Sequence, residues 1–226
     1  MEELLNRFIP NVMDRTDIFW ESLVETIIMV GWAGGISFLL GIVLGVLITI
    51  TKHDNIMEQK FVYHILDKIV NLLRSIPFVV LLACLVPLTR LIMGTSIGVR
   101  GAIVPLVFGC TPFFTRQVET ALAEVDAGLV EAAQSMGLSN FDIIVRVYLK
   151  ESIAGIARGT TITLISLVGL TAMAGAIGAG GLGNFAIMYG HQRNMPDVTW
   201  TTVIVLVIFV SLIQLIGNYI AKRNTH

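Results

Sequence analysis

Five long apolar runs dominate the chain: Leu23–Ile50, Ile69–Met93, Ile97–Val118, Ile153–Ile177 and Thr199–Ala221. A bilayer core of ~30 Å takes about 20 residues of helix, so the pattern predicts five transmembrane helices and an all-α integral membrane protein. Between the third and fourth runs the pattern changes. Arg116, Glu119, Glu124, Asp126, Glu131, Asp142, Arg146, Lys150, Glu151 and Arg158 return charge to the chain, and 119–152 reads as a polar loop. Asp126 is placed to cap a short helix through Leu129, Val130, Ala133 and Met136, with Gly137 as its C′ residue. Ser139-Asn140-Phe141-Asp142 then reads as a capping box, opening a second helix with Ile143, Ile144, Val147 and Tyr148 at helical spacing.

Prolines and glycines qualify the runs. In the second, Arg74 and Ser75 precede Pro77, and Pro87 interrupts the far half; in the third, Pro105 and Pro112 predict a bend. Gly31, Gly34, Gly35, Gly41 and Gly45 suit close helix packing in lipid. Gly178, Gly180 and Gly183 match G-x-G-x-x-G, with Asp197 nineteen residues after the first glycine. A dinucleotide site needs a strand before that motif and a helix after it. Here a membrane span precedes it, so a tight re-entry or bend at the outer end of the fourth span is the better reading.

Composition agrees with the runs: 55% of the 226 residues are hydrophobic and 14% charged, and the mean hydropathy is +0.81. A net charge of -1 without a basic patch gives no support to nucleic-acid binding. Cys84 and Cys110 lie inside apolar runs and read as small buried hydrophobes rather than a disulfide. His53, His64, His191 and His226 lack ligand-like spacing, so no metal site is expected. The N-terminus has no basic stretch followed by a short apolar one, and the first span is expected to act as its own insertion signal. With the N-terminus outside, ten of the fifteen Lys and Arg fall on the cytoplasmic side, and only Arg7, Arg15, Arg90, Arg100 and Arg193 fall outside. That bias predicts N-out and C-in, and makes the polar loop cytoplasmic.

No G-x-x-x-x-G-K-[ST] occurs, so the chain cannot cradle ATP phosphates by a P-loop. The middles of the spans lack the ionisable residues that ion-coupled carriers use; Glu25 and Glu119 sit near span ends. No nucleophile–base or metal constellation suggests an enzyme, so no catalytic residue and no cofactor of its own is expected. The work must then come from a separate subunit. The polar loop is the natural place for it to dock, and Ala132 and Ala133 beside Glu131 would let a partner surface approach. The alternative is an amphipathic helix lying on the membrane, although the first helix has no basic residues to meet anionic lipid.

Glu131-Ala132-Ala133, three residues, Gly137, nine residues and Val147-Tyr148-Leu149 together resemble the EAA loop of ABC importer permeases. The resemblance implies that Glu131, Ala132, Ala133, Ser135, Met136 and Gly137 form the coupling helix that seats in a cleft of a cytoplasmic ATPase. Lys150 stands where the family pattern has proline. Arg74-Ser75-Ile76-Pro77-Phe78, Gly94-Thr95-Ser96-Ile97-Gly98, Ala102-Ile103-Val104-Pro105-Leu106 and Gly178-Ala179-Gly180-Gly181-Leu182-Gly183 look like the methionine-uptake subfamily; betaine and phosphonate permeases carry similar glycine-rich segments. On this resemblance, 1–22 is an extracytoplasmic segment, 23–214 the permease domain, and 215–226 the end of the last span with a cytoplasmic tail. The implied setting is a bacterial inner or plasma membrane. The implied partners are an ATPase dimer, a second permease copy, and a substrate-binding protein or lipoprotein outside. A self-sufficient channel or secondary carrier is the competing class. In the fourth span, Ser166, Leu170 and Met173 are pore or gate candidates, because hydroxyl, small and thioether groups can line a passage for a mostly apolar solute; ordinary packing is the alternative for Met173. Arg74 either meets the ATPase or snorkels to the interface.

Overall fold

The computed structural model of the protein describes residues 8–224, which fold as helices and turns with no strand among them. Arg7 and His226 lie outside the described residues. After a short α1 (Pro10–Met13), four helices among the described residues are long and apolar enough to cross a membrane. They are α2 (Thr16–Thr51), α6 (Gly98–Ala123), α10 (Ile153–Ala174, followed by a wider turn that breaks at Ile177 and Gly178) and α12 (Pro196–Arg223).

The run 69–93 is not one helix. It is shared by the end of α3 (Lys60–Ser75), α4 (Phe78–Cys84) and α5 (Val86–Met93). Pro77 forces Ile76 into an extended conformation (φ -83°, ψ 123°), which ends α3. Pro87 lies in the first turn of α5, where a missing N–H leaves no carbonyl unsatisfied within that helix. Pro105 and Pro112, by contrast, lie inside α6, which continues through both.

The chain forms two compact units. The first takes the chain up to Gly35, Pro77–Phe108 and Leu164–Ile213. Met29, Ala33, Leu106, Leu167, Leu182 and Phe185 are fully buried in it. A smaller cluster joins Val12, Phe185 and Val198, and Asn11 donates twice to the Asp197 carboxylate, at 3.0 Å each. The second unit takes Ile36–Ile76, Gly109–Thr163 and the chain from Gln214. Here α2 and α6 touch closely: a Cβ at Gly45 would lie 2.6 Å from Val118, Phe38 stacks on Phe114, and Thr111 donates to Ser37. A Cβ at Gly31 or Gly35 would meet no other part of this chain within 4 Å.

Cys110 is buried as expected, but Cys84 is exposed; both are free thiols. Only 6% of the apolar window of α12 is buried. A helix so apolar and so uncovered needs hydrocarbon or another chain around it.

Candidate functional site

The polar loop folds as a compact cap on the second unit. Its first helix, α7 (Ala127–Ser135), begins where expected: the Asp126 carboxylate accepts the Gly128 N–H at 2.7 Å. It also ends where expected. Gly137 takes φ +77°, the Leu138 N–H donates to the Ala133 carbonyl (3.1 Å) and the Gly137 N–H to that of Gln134 (2.9 Å). This paired closure satisfies carbonyls that a helix end leaves open. Glu131, Ala132, Ser135, Met136 and Gly137 are exposed. Ala133 is not: at 2% exposure it packs in a core with Val130, Ile143, Tyr148 and Leu122. Its small size therefore lets α7 lie close to its own chain, and Ala132 alone of the pair faces outward.

The second helix also starts at its predicted cap. Ser139 accepts the Asp142 N–H (3.2 Å) and donates its hydroxyl to the Asp142 carboxylate (2.6 Å). After α8 (Asn140–Ile143) the backbone widens into a π turn over Ile144–Tyr148, then returns to α geometry in α9 (Leu149–Glu151). The α-helical spacing expected here is thus broken. The wider turn brings residues five apart toward one face, and Ile143 and Tyr148 are both buried. Ser152 then leaves helical geometry before α10 starts. The helical run is thus interrupted at Ser152, two residues after Lys150, without a proline.

Ser152 is buried and donates to the Ala121 carbonyl at 3.0 Å. Beyond it, a Cβ at Gly155 would lie 2.8 Å from that of Ala121, and one at Gly159 2.7 Å from that of Gln117. These contacts join the base of α10 to the end of α6. The loop therefore stands on two tightly packed helices.

A second connection, 52–59, closes against this loop. The Tyr148 hydroxyl donates to the Asn55 side-chain oxygen (3.0 Å), which also accepts the Ile56 N–H (2.7 Å). A cavity of about 420 Å³ lies between the two segments, lined by Lys52, Asp54, Glu119, Glu131, Gln134 and Tyr148 among others. Contrary to the expectation from spacing, His53 does gather with Asp54 and Glu58. All three are exposed, and the Lys60 ammonium lies 3.5 Å from Glu58, which disfavours a second cation. The Asp54 N–H holds the Glu58 carboxyl below its usual range, a shift that burial opposes and His53 and Lys60 reinforce. Nearby, Arg116 is gripped by Asp67, Glu119 and Asn71, tying the polar side of α3 to α6. The opposite side of α3 leaves Phe61, Ile65, Ile69 and Leu72 exposed.

In the first unit, Ser166 and Met173 are exposed and Leu170 is half-buried. Their spacing of four and three puts them on one face of α10, and Gly169 beside them has open space around it. The glycine motif makes a bend, with positive φ at Gly178, Gly180 and Gly181. The Glu25 carboxylate accepts the Gly181 N–H (2.6 Å) and the Thr26 hydroxyl accepts that of Leu182 (2.8 Å), which anchors α11 (Gly181–Asn184). Neither these anchors nor the Tyr148–Asn55 bond has a local signature, because each joins residues at least 93 apart.

The sequence matches the family of binding-protein-dependent transport system inner membrane components over residues 37–225. It is 43% identical to the probable D-methionine transport system permease protein of Pasteurella multocida, over 93% of this chain and 99% of that one. It is 41% identical to the methionine import system permease protein of Bacillus subtilis, over 97% and 98%. Among solved structures, the fold superposes on a chain of the MetNI methionine ABC transporter in an inward-facing conformation. The TM-score is 0.92 at 41% identity, covering 94% of this chain and 99% of that one.

Proposed function

The chain belongs to the family of binding-protein-dependent transport system inner membrane components, and from that we propose that it is the permease subunit of an ATP-driven importer of methionine. The observation that carries the reading is α7: a helix capped at both ends, in a chain without a P-loop, that presents Glu131, Ala132, Ser135 and Met136 outward. In this reading α7 is the coupling helix and a cytoplasmic ATPase dimer supplies the work. The N-terminus is outside, the loop is cytoplasmic, and the chain needs no cofactor of its own. A second copy of the chain and an extracytoplasmic binding protein complete the importer. The identity of 41–43% to methionine permeases over nearly whole chains supports the substrate.

The packing suggests how force travels. Ser152, Gly155 and Gly159 lock α10 to α6, so displacement of α7 moves both helix bases together. The helix that carries Gly155 and Gly159 also carries Ser166, Leu170 and Met173, which we assign to the passage, with Met173 as its gate. Nucleotide binding would bias a two-state equilibrium through this connection. Purified with its ATPase in proteoliposomes, the chain should accumulate methionine only with ATP and binding protein present. Flux through the chain alone would refute the reading in favour of a channel or carrier. Met173→Ala should raise leak or alter uptake while leaving assembly intact; unchanged transport kinetics would remove Met173 from the gate.

A further inference from the structure

The surface around α7 continues onto a segment that no motif marks. Residues 52–58 form a loop of definite shape. The Met57 N–H donates to the Ile50 carbonyl (3.1 Å) and the Gln59 N–H to that of Thr51 (3.0 Å), folding the chain back on the end of α2. Asp54 adopts φ +60°, a left-handed conformation that Asp and Asn enter more readily than other non-glycine residues. Here the Glu58 carboxylate accepts its N–H at 3.2 Å. Asn55 receives the hydroxyl of Tyr148, and Ile56 packs against the core that holds Val130 and Ala133 of α7. The loop is thus fastened to the coupling segment by one hydrogen bond and one apolar anchor.

The cavity between loop and helix has a definite sign. Asp54, Glu119 and Glu131 contribute three carboxylates to its lining and Lys52 one ammonium. Arg116 engages Glu119. The Glu131 carboxylate makes no ion pair among the described residues, and α7 carries no basic residue that would supply one. Ile56, Leu122 and Val130 add apolar lining. An acidic lining with apolar walls suits the stem and head of a long cationic side chain.

We infer that the 52–58 loop is the second wall of the ATPase seat, and that the cavity between it and α7 receives a guanidinium or ammonium side chain of the ATPase. The inference rests on α7 being the seat. It adds a second contact, continuous with the first, and gives Tyr148 and Asn55 the role of positioning residues that hold the two walls in register.

Photo-cross-linking in the intact transporter separates the inference from its premise. A benzophenone amino acid replaces Ala132 on α7 in one variant and Met57 on the loop, 44% exposed, in another. Adducts to the ATPase from both positions support the two-walled seat. An adduct from position 132 alone overturns the loop contact and leaves α7 as the seat; adducts from neither overturn both. Should the Met57 variant fail to copurify with the ATPase, an amine-reactive cross-linker on the wild-type complex reads the same loop through Lys52 and Lys60, and absence of ATPase adducts from both overturns the contact. For the charge, Asp54→Lys should lower ATP-driven uptake by about tenfold while the adduct from position 132 persists. Tyr148→Phe should lower the adduct yield at position 57 more than at position 132. Uptake unchanged by Asp54→Lys would refute the cationic occupant.

Discussion

Ala133 offers the sharpest test of how α7 is built. It is 2% exposed, packs in the core with Val130, Ile143 and Tyr148, and its carbonyl accepts the closing bond from Leu138. Ala133→Leu pushes three further carbons into filled space. Overpacking of this kind costs about 1–3 kcal/mol, and 2 kcal/mol raises the population of an opened loop roughly 30-fold. Ala132, one residue earlier, is exposed, so leucine there should cost under about 0.5 kcal/mol in stability while obstructing the partner. Trypsin provides the assay, because Arg146 and Lys150 lie on the segment that α7 packs against. When opening is fast relative to cleavage, the rate tracks the open population. Ala133→Leu should be cut roughly 30-fold faster at these sites. Ala132→Leu should be cut at the parental rate yet hydrolyse ATP without accumulating methionine. Equal trypsin resistance in the two variants would refute the inward placement of Ala133. Normal coupled uptake by Ala132→Leu would refute α7 as the seat.

Three further expectations follow from the contacts. Gly155→Val places a Cβ 2.8 Å from that of Ala121, so α6 and α10 must part; uptake should fall more than ATP hydrolysis, and a parental ratio of the two would argue against the shared base. Glu25→Ala leaves the Gly181 N–H without its acceptor and should destabilise by about 1–2 kcal/mol, read as a lower melting temperature, whereas Glu25→Gln should recover most of it. Glu58 is held below its usual carboxyl range first by the Asp54 N–H. A depressed folded value means that its stabilisation is complete above the free value of about 4.3 and is lost as pH falls through the lower folded value. Amide exchange of residues 52–58 should therefore accelerate only in that acid window, and loosening at neutral pH would contradict the assignment.

How far the sequence reaches depends on the range of the interaction. Asp126, Gly137 and Ser139 act on backbone groups within a few residues, so α7 and its turn were legible at both ends. The long spans were legible for the same reason, since hydrocarbon selects for uninterrupted apolar helix. The prolines of the run 69–93 mark interruptions, but hydropathy alone does not distinguish a proline inside a helix from one that starts a new helix. Pro112 does the first and Pro87 the second. Ser166, Leu170 and Met173 share a face by their spacing alone, but what that face meets belongs to the assembled transporter.

From the residues alone the chain reads as a multi-pass helical membrane protein resembling the importer permeases, with a capped polar helix in its longest polar loop and no P-loop motif. That Ala133 turns inward while Ala132 turns outward emerges only from the packing of the folded chain. Packing likewise places a π turn shortly before Lys150 and ties Tyr148 to Asn55, 93 residues away. Caps and hydropathy are local and leave a pattern in neighbouring residues. Which face of a helix is covered, and by what, depends on elements that meet only when the chain has folded.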